Sequence, residues 1–205
     1  PVDVVTLSFT ANDTIQSPAV TFSSGGAAVN GNVSVSNISG NTWTASFTAN
    51  ANDTAGPVTY SIAFSDTAGN AGTPVTATTD SSNVAVVIDT DLPTLLSSIP
   101  SDGSSAVKLD QNIVLKFSEV VTAGLGKIKL FEGSDKLVEA FSVSSSIISG
   151  ATVTLNPSAD FASRSAYYIQ IPSTAFVDGA GNSYVGISNK TALNFITLDV
   201  NAPSL

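Results

Sequence analysis

A chain of 205 residues can form one large domain or two of roughly 100 residues, each able to bury its own core. It holds no cysteine, methionine or histidine, which excludes disulfide frameworks, thiolate chemistry and histidine-based acid–base or metal chemistry. Residues 1–91 contain seven aspartates and no lysine or arginine, while residues 92–205 carry only −2 of the net −9, so the first half cannot bind phosphate backbones or anionic lipid by charge.

The apolar residues alternate with small polar ones almost from the first residue. Val5, Leu7 and Phe9 do so, then Trp43, Ala45 and Phe47, then Tyr60, Ile62 and Phe64. A two-residue period places one face on a core and the other in water, as in antiparallel sheets. The pattern predicts strands near 2–9, 18–23, 32–37, 42–48, 57–65, 73–77 and 82–88. Ile113, Leu115 and Phe117, and later Tyr167, Ile169 and Ile171, continue it. The second set of strands falls near 94–99, 106–109, 112–118, 127–131, 136–143, 151–155, 165–171 and 192–198, with a short helical turn near Ser173–Phe176. Helix formers are scarce, and turn clusters such as SSGG at 23–26 and NPSAD at 156–160 arrive at short spacing. The fold class is all-β. Seven or eight strands per ~100 residues is the requirement of an immunoglobulin-like Greek-key β-sandwich, so two such sandwiches in tandem are expected.

Two internal echoes set the boundaries. IDTDLPTL at 88–95 returns in outline as LDVNAPSL at 198–205, and DTAGN at 66–70 returns as DGAGN at 178–182. The repeating unit is a strand bundle, a D-x-A-G-N turn, a last strand, an acidic linker and a proline. The domains are therefore 1–91 and 92–205, the second ending in an acidic linker of its own. Both ends read as cuts inside a longer polypeptide. No stretch approaches the ~20 apolar residues of a membrane span, so membrane insertion is not expected, and a first half without a cation is not expected to bind nucleic acid.

The first half resembles the Ig-like repeats of large secreted bacterial adhesins, including the repeats-in-toxin type. The residues that carry the resemblance are VTLSFTANDTI, NTWTASFTANANDTAGPVTYSIAFSDTAGNAG and VTATTDSSNVAVVID. The second half resembles the bacterial Ig-like domain first associated with S-layer proteins, through PTLLSSIPSDGSSAVKLDQNIVLKFSEVV, Tyr168 to Ile171, FVDGAGNSYVGI and LNFIT. The resemblance implies a spacer or scaffold at the bacterial cell surface, with calcium at domain junctions. It also implies that the partners are neighbouring Ig-like domains of the same polypeptide, in a monomer.

Candidate ligands are the carboxylates and amides at the joints. Immunoglobulin topology puts the turn between the last two strands at the pole facing the preceding domain. Asp178 and Asn182 are thus expected near the linker acids Asp89 and Asp91, and Glu119, after the strand IVLKF, falls in a loop at the same pole. Calcium takes six to eight hard oxygens, and the two linker acids offer at most four. By the same logic Asp66 and Asn70 serve a preceding domain, and Asp199 and Asn201 a following one. Bound cations would replace carboxylate repulsion at the hinge with crosslinks. The alternative is turn architecture alone: Asp and Asn cap turns through side-chain hydrogen bonds, and Gly69 and Gly181 supply positive φ. Asp89-Thr90-Asp91 is no EF-hand, because Pro93 holds the fifth position and no glutamate stands at the twelfth.

No catalytic residues are expected. The D-x-A-G-N turns lack the Asp-Thr/Ser-Gly sequence of aspartic proteases, serine has no histidine to activate it, and Lys116 alternates with core positions and so faces water. The same orientation keeps Lys116 out of a buried isopeptide crosslink. Trp43 and Tyr60 read as core. Of the adjacent Tyr167 and Tyr168 one must face outward, and Tyr184, in the last loop, is the best candidate for an exposed aromatic. Five N-x-S/T sequons at Asn12, Asn32, Asn37, Asn52 and Asn189 arise readily by chance in such a composition. The expected function is a stalk segment of a secreted or surface-bound adhesin with calcium-stiffened joints. The alternative is a glycan- or protein-binding Ig-like module.

Overall fold

Alternation becomes packing in the computed structural model, which describes residues 3–79, 85–144 and 147–201. Contacts divide the chain into two compact units, Pro1–Asp91 and Leu92–Leu205. Both are all-β sandwiches of the immunoglobulin-like Greek-key class, and the described residues contain no α-helix.

The first unit contains β1 (Val4–Thr10), β2 (Ala19–Ser24), β3 (Ala27–Ala28), β4 (Ser34–Ser39), β5 (Thr42–Thr48), β6 (Gly56–Ala63) and β7 (Val87–Ile88). One sheet runs β1-β5-β4, the other β3-β2-β6-β7. In the antiparallel β1/β5 register Val5, Leu7 and Phe9 stand opposite Phe47, Ala45 and Trp43. These residues therefore share one face, and Val5, Leu7, Phe9, Ala45 and Phe47 of it pack with Val20, Phe22 and Ile62 of the other sheet in a single core. Phe22 and Phe47 seal it with ring centroids 5.0 Å apart. Where β2 turns into β3, Gly25 adopts φ +56, and a Cβ there would lie 2.3 Å from the Ala55 carbonyl oxygen. A Cβ at Gly56, with φ +136, would lie 2.8 Å from the Gly25 Cα, so the approach of the turn after β2 to the start of β6 needs glycine on both sides.

The second unit contains β8 (Leu95–Ile99), β9 (Ser104–Val107), β10 (Ile113–Phe117), β11 (Thr122–Ala123), β12 (Lys127–Glu132), β13 (Lys136–Ser142), β14 (Ile148–Ser149), β15 (Thr152–Leu155), β16 (Ala166–Gln170), β17 (Phe176–Val177) and β18 (Asn194–Thr197). A four-stranded sheet, β14-β15-β10-β8, faces a five-stranded sheet, β13-β12-β16-β18-β9, and β11 pairs with β17 as a separate ribbon. The β18/β9 pair is parallel. Ile113, Leu115 and Phe117 of β10 pack with Ile128 and Leu130 of β12, Ile169 of β16 and Phe195 of β18 in the main core. Lys116, between Leu115 and Phe117, is exposed.

Several expectations need correction. No helical turn forms at Ser173–Phe176: the segment is a turn that leads into β17. The strand expected at 73–77 is reduced to a bridge between Val75 and Ile62. Of the strand expected at 82–88, residues 82–84 lie outside the described residues, and β7 supplies only Val87 and Ile88. Tyr167 and Tyr168 do point to opposite faces, yet they are 4% and 5% exposed. Tyr168 is covered on the outer face: Phe131 stacks on it at 4.9 Å, and Lys190 lies 5.8 Å from its ring centroid. Tyr184 is 4% exposed and packs edge-on against Phe117 at 5.1 Å.

Candidate metal centre

The D-x-A-G-N sequences fold into the same hydrogen-bonded clasp in both units. In the first, the Asn70 backbone N–H donates to Asp66 Oδ1 at 2.8 Å and its amide to Asp66 Oδ2 at 2.7 Å. In the second, the corresponding Asn182 bonds to Asp178 are both 2.8 Å. Each aspartate also donates its own backbone N–H to the asparagine carbonyl at 3.0 Å. Bridges Ser65–Ala71 and Val177–Ser183 close the two turns at the same relative positions. Gly69 and Gly181 sit at φ 93 and 88, a conformation that costs glycine nothing and other residues a good deal.

The clasps differ in burial. Asp178 is 4% exposed, whereas Asp66 is half-buried and Asn70 exposed. Asp178 directly follows the β11/β17 ribbon. Thr122 and Ala123 pair with Val177 and Phe176, and Thr122 Oγ1 donates to the Val177 carbonyl at 3.1 Å. In the loop between β10 and β11, a Glu119 carboxylate oxygen comes within 4.8 Å of one on Asp178. In the first unit the equivalent flank is Ile15, bridged to Asp66.

The linker acids form local turns. The Asp91 backbone N–H donates to Asp89 Oδ1 at 3.0 Å, and Asn201 N–H donates to Asp199 Oδ1 at 3.0 Å. These matched Asx turns are the structural content of the linker echo. Asp199 has in addition a cationic neighbour, Arg164, at 3.7 Å.

Chemically, the second-unit cluster is a hard-oxygen set. Asp178 uses one lone pair per oxygen in the clasp and keeps others. The Asn182 amide is oriented by its donation to Asp178, which fixes where its carbonyl oxygen points. An all-oxygen set of carboxylate and amide groups suits hard cations such as calcium, magnesium or manganese, so the residues present are compatible with the ion that the resemblance implies.

Two further polar centres join residues far apart in the sequence. Asp53 is 3% exposed and accepts the backbone N–H groups of Asn30 at 2.7 Å and Asn50 at 2.9 Å. The A-N-D-T tetrad around it also occurs at 11–14, where Asp13 is exposed, so the local sequence did not mark the buried copy. The other centre is Asp135, which accepts Tyr168 Oη at 2.9 Å and Lys190 Nζ at 2.6 Å. The Lys190 bond, then that of Tyr168, lowers the Asp135 carboxyl below its ordinary value.

Two first-unit carboxyls are also held low. At Asp66 the Asn70 side-chain hydrogen bond, followed by its backbone bond, lowers the carboxyl. At Asp53 burial pushes the carboxyl up, but the bonds from Asn30 and Asn50 outweigh it, and the net direction is down. Both groups therefore add stability above the unfolded carboxylate value near ~4, and lose it as pH falls through their depressed folded values. The melting temperature of the first unit, followed by Trp43 fluorescence, is expected to be level down to about pH 4 and to fall below it. Asp66→Asn is expected to remove part of that slope, and an unchanged slope would show that the clasp contributes nothing to acid lability.

No aromatic platform is present. All fifteen aromatic residues fall in the described segments, and none is exposed. Trp43 is half-buried on the inner face beside Phe9, and its indole N–H finds no hydrogen-bond partner among the described residues. The first unit does contain an open cavity of about 620 Å³ between Leu7, Phe9, Tyr60, Ile62, Phe64 and Val75. No charged side chain lines it among the described residues, so it has no group for acid–base chemistry other than the phenol of Tyr60.

Comparison with known proteins gives one family. A model described as "Bacterial Ig-like domain" matches residues 89–197, slightly more than half of the chain. No curated protein matches the chain. Among solved structures, one described as "Biofilm associated protein - BSP domain" is similar at 12% identity over 97% of this chain and 28% of that one, with a TM-score of 0.26. The chain thus spans little more than a quarter of that protein's length, and a TM-score so low fixes neither fold nor function.

Proposed function

The chain belongs to the bacterial Ig-like domain family through residues 89–197, and on that premise we propose that it is a non-enzymatic spacer segment of a bacterial surface protein whose joints are stiffened by calcium. The observation that carries the reading is the approach of Glu119 to Asp178 within 4.8 Å in the second unit. Two carboxylates at that distance repel, the more so with Asp178 buried, and a divalent cation turns the repulsion into attraction.

Glu119, Asp178 and Asn182 would hold the ion from the second unit. Asp89, the first residue of the family match, and Asp91 would supply linker oxygens toward the six to eight that calcium takes. When bound, calcium supplies charge neutralisation and a crosslink, not catalysis. Asp66 with Asn70 offers the same clasp to a preceding domain. Asp199 with Asn201 would serve a following one, although Arg164 already balances part of the Asp199 charge.

A ligand-binding module on the same fold is the second reading, favoured by the 620 Å³ cavity of the first unit, whose size suits a small apolar molecule. The lack of exposed aromatics weighs against a glycan platform.

Thermal unfolding in millimolar calcium and in excess chelator separates the readings. Calcium at about a hundred times its dissociation constant contributes ~2.7 kcal/mol, so the second unit is expected to melt roughly 5–15 °C higher. Glu119→Gln is expected to abolish most of that gain. If melting is the same with calcium and with chelator, the acids are turn chemistry alone.

A further inference from the structure

The first unit contains one Asn-Gly dipeptide, Asn30-Gly31, the sole instance in the sequence. The fold imposes both residues. A Cβ at Gly31 would stand 2.8 Å from the Thr48 carbonyl oxygen, so only glycine fits there. Asn30 is required by Asp53: its backbone N–H donates to Asp53 Oδ1 at 2.7 Å, and its amide reaches the same oxygen at 3.3 Å and the Asn52 carbonyl at 2.6 Å. These bonds latch the β3–β4 loop to the β5–β6 loop. Asn50 holds the other side of the latch, donating its N–H to Asp53 Oδ2 at 2.9 Å.

Asparagine followed by glycine is the dipeptide most prone to spontaneous ring closure, because no side chain shields the following nitrogen. Asn30 is also exposed to water. We propose that Asn30-Gly31 is a deamidation site which the Asp53 latch holds in check, and whose conversion unlatches the two loops irreversibly. In the step, water or hydroxide takes the Gly31 N–H proton and the nitrogen attacks Asn30 Cγ. The new C–N bond forms, the Cγ–Nδ2 bond breaks, and ammonia leaves with a proton from solvent. Water then opens the succinimide at either carbonyl, giving aspartate or isoaspartate. No oxidant or reductant is consumed.

While latched, the amide is tied to Asn52 and Asp53, so Cγ is not free to swing onto Gly31. Reaction proceeds through the locally opened loop. Once formed, the product carboxylate cannot donate to Asp53. It faces that carboxylate as a like charge instead, and the two bonds from the side chain are lost.

The test is peptide mapping by mass spectrometry after incubation of the whole chain in mildly alkaline buffer. Asn30 is expected to convert roughly tenfold or more slowly in the folded chain than in denaturant, and Asp53→Ala to bring the folded rate close to the denatured one. Equal rates in the folded and denatured wild-type chain would overturn the proposal, and this comparison needs no variant to fold. Asn30→Asp is expected to lower the melting temperature of the first unit by roughly 5–10 °C, and the exchanged pair Asn30→Asp with Asp53→Asn to regain part of it. No loss in the single variant, or no recovery in the pair, would show that charge opposition is not what opens the latch.

Discussion

Phe117→Ala is expected to destabilise the second unit by about 3–5 kcal/mol, the usual cost of truncating a buried aromatic. Phe117 is 1% exposed at the end of β10, where one ring joins three parts of the structure. Its centroid lies 5.1 Å from Phe176 of β17 and 5.1 Å from Tyr184 of the last loop, and its own strand belongs to the four-stranded sheet. Rigid strands cannot collapse into the space left behind, so the transfer loss and a cavity cost add. Set against a total domain stability of roughly 5–15 kcal/mol, the loss should lower the melting temperature by roughly 10–30 °C. Scanning calorimetry reads the effect, with Trp43 fluorescence marking the first unit. A shift of only a few degrees would mean that Tyr184 and Phe176 repack around alanine.

Asp178→Ala is the second large effect, expected at about 2–4 kcal/mol in the absence of metal. The side chain is 4% exposed and accepts both the backbone N–H and the amide of Asn182. Alanine removes a charged acceptor from two donors, one of them fixed on the backbone, and leaves them without partners in a site that water reaches poorly. Asp178→Asn keeps an acceptor oxygen and should cost less. The first unit supplies an internal control, since Asp66→Ala deletes the same pair of bonds where water can replace them. Its shift should be much smaller. Equal shifts at Asp66 and Asp178, measured by urea unfolding of the two variants, would show that burial is not what gives the second clasp its weight.

The alternation that puts Trp43, Ala45 and Phe47 on one face was readable because side-chain period and strand period are the same number. The strand expected at 42–48 matches β5 for that reason. The two-residue strands β3, β11, β14 and β17 are too short to show any period. The omission mattered at β11 and β17, because Glu119 stands in the loop before β11 and Asp178 directly follows β17. The D-x-A-G-N clasp was legible as turn chemistry, since Asp, Gly and Asn have strong local preferences. Its burial in one unit and exposure in the other was not, because burial depends on which loop lies across the turn.

The same limit explains the tyrosines. Adjacent residues on a strand do face opposite sides, so an outward Tyr168 was the correct geometric inference. Nothing in the local sequence announced that Phe131, Asp135 and Lys190 would cover it. Tyr184, in a loop with little periodicity, gave no sign that it would insert against Phe117. Asp53 was invisible for a related reason: its partners Asn30 and Asn50 lie on two different loops, joined only once the sheets have formed.

A spacer with calcium-set joints makes one claim that neither a plain sandwich nor a ligand-binding module makes. Small-angle scattering of the chain in millimolar calcium and in excess chelator tests it most directly. A sharper distance distribution with a longer maximum dimension is expected in calcium, and the loss of that change in Glu119→Gln. Identical curves in calcium and in chelator would contradict it.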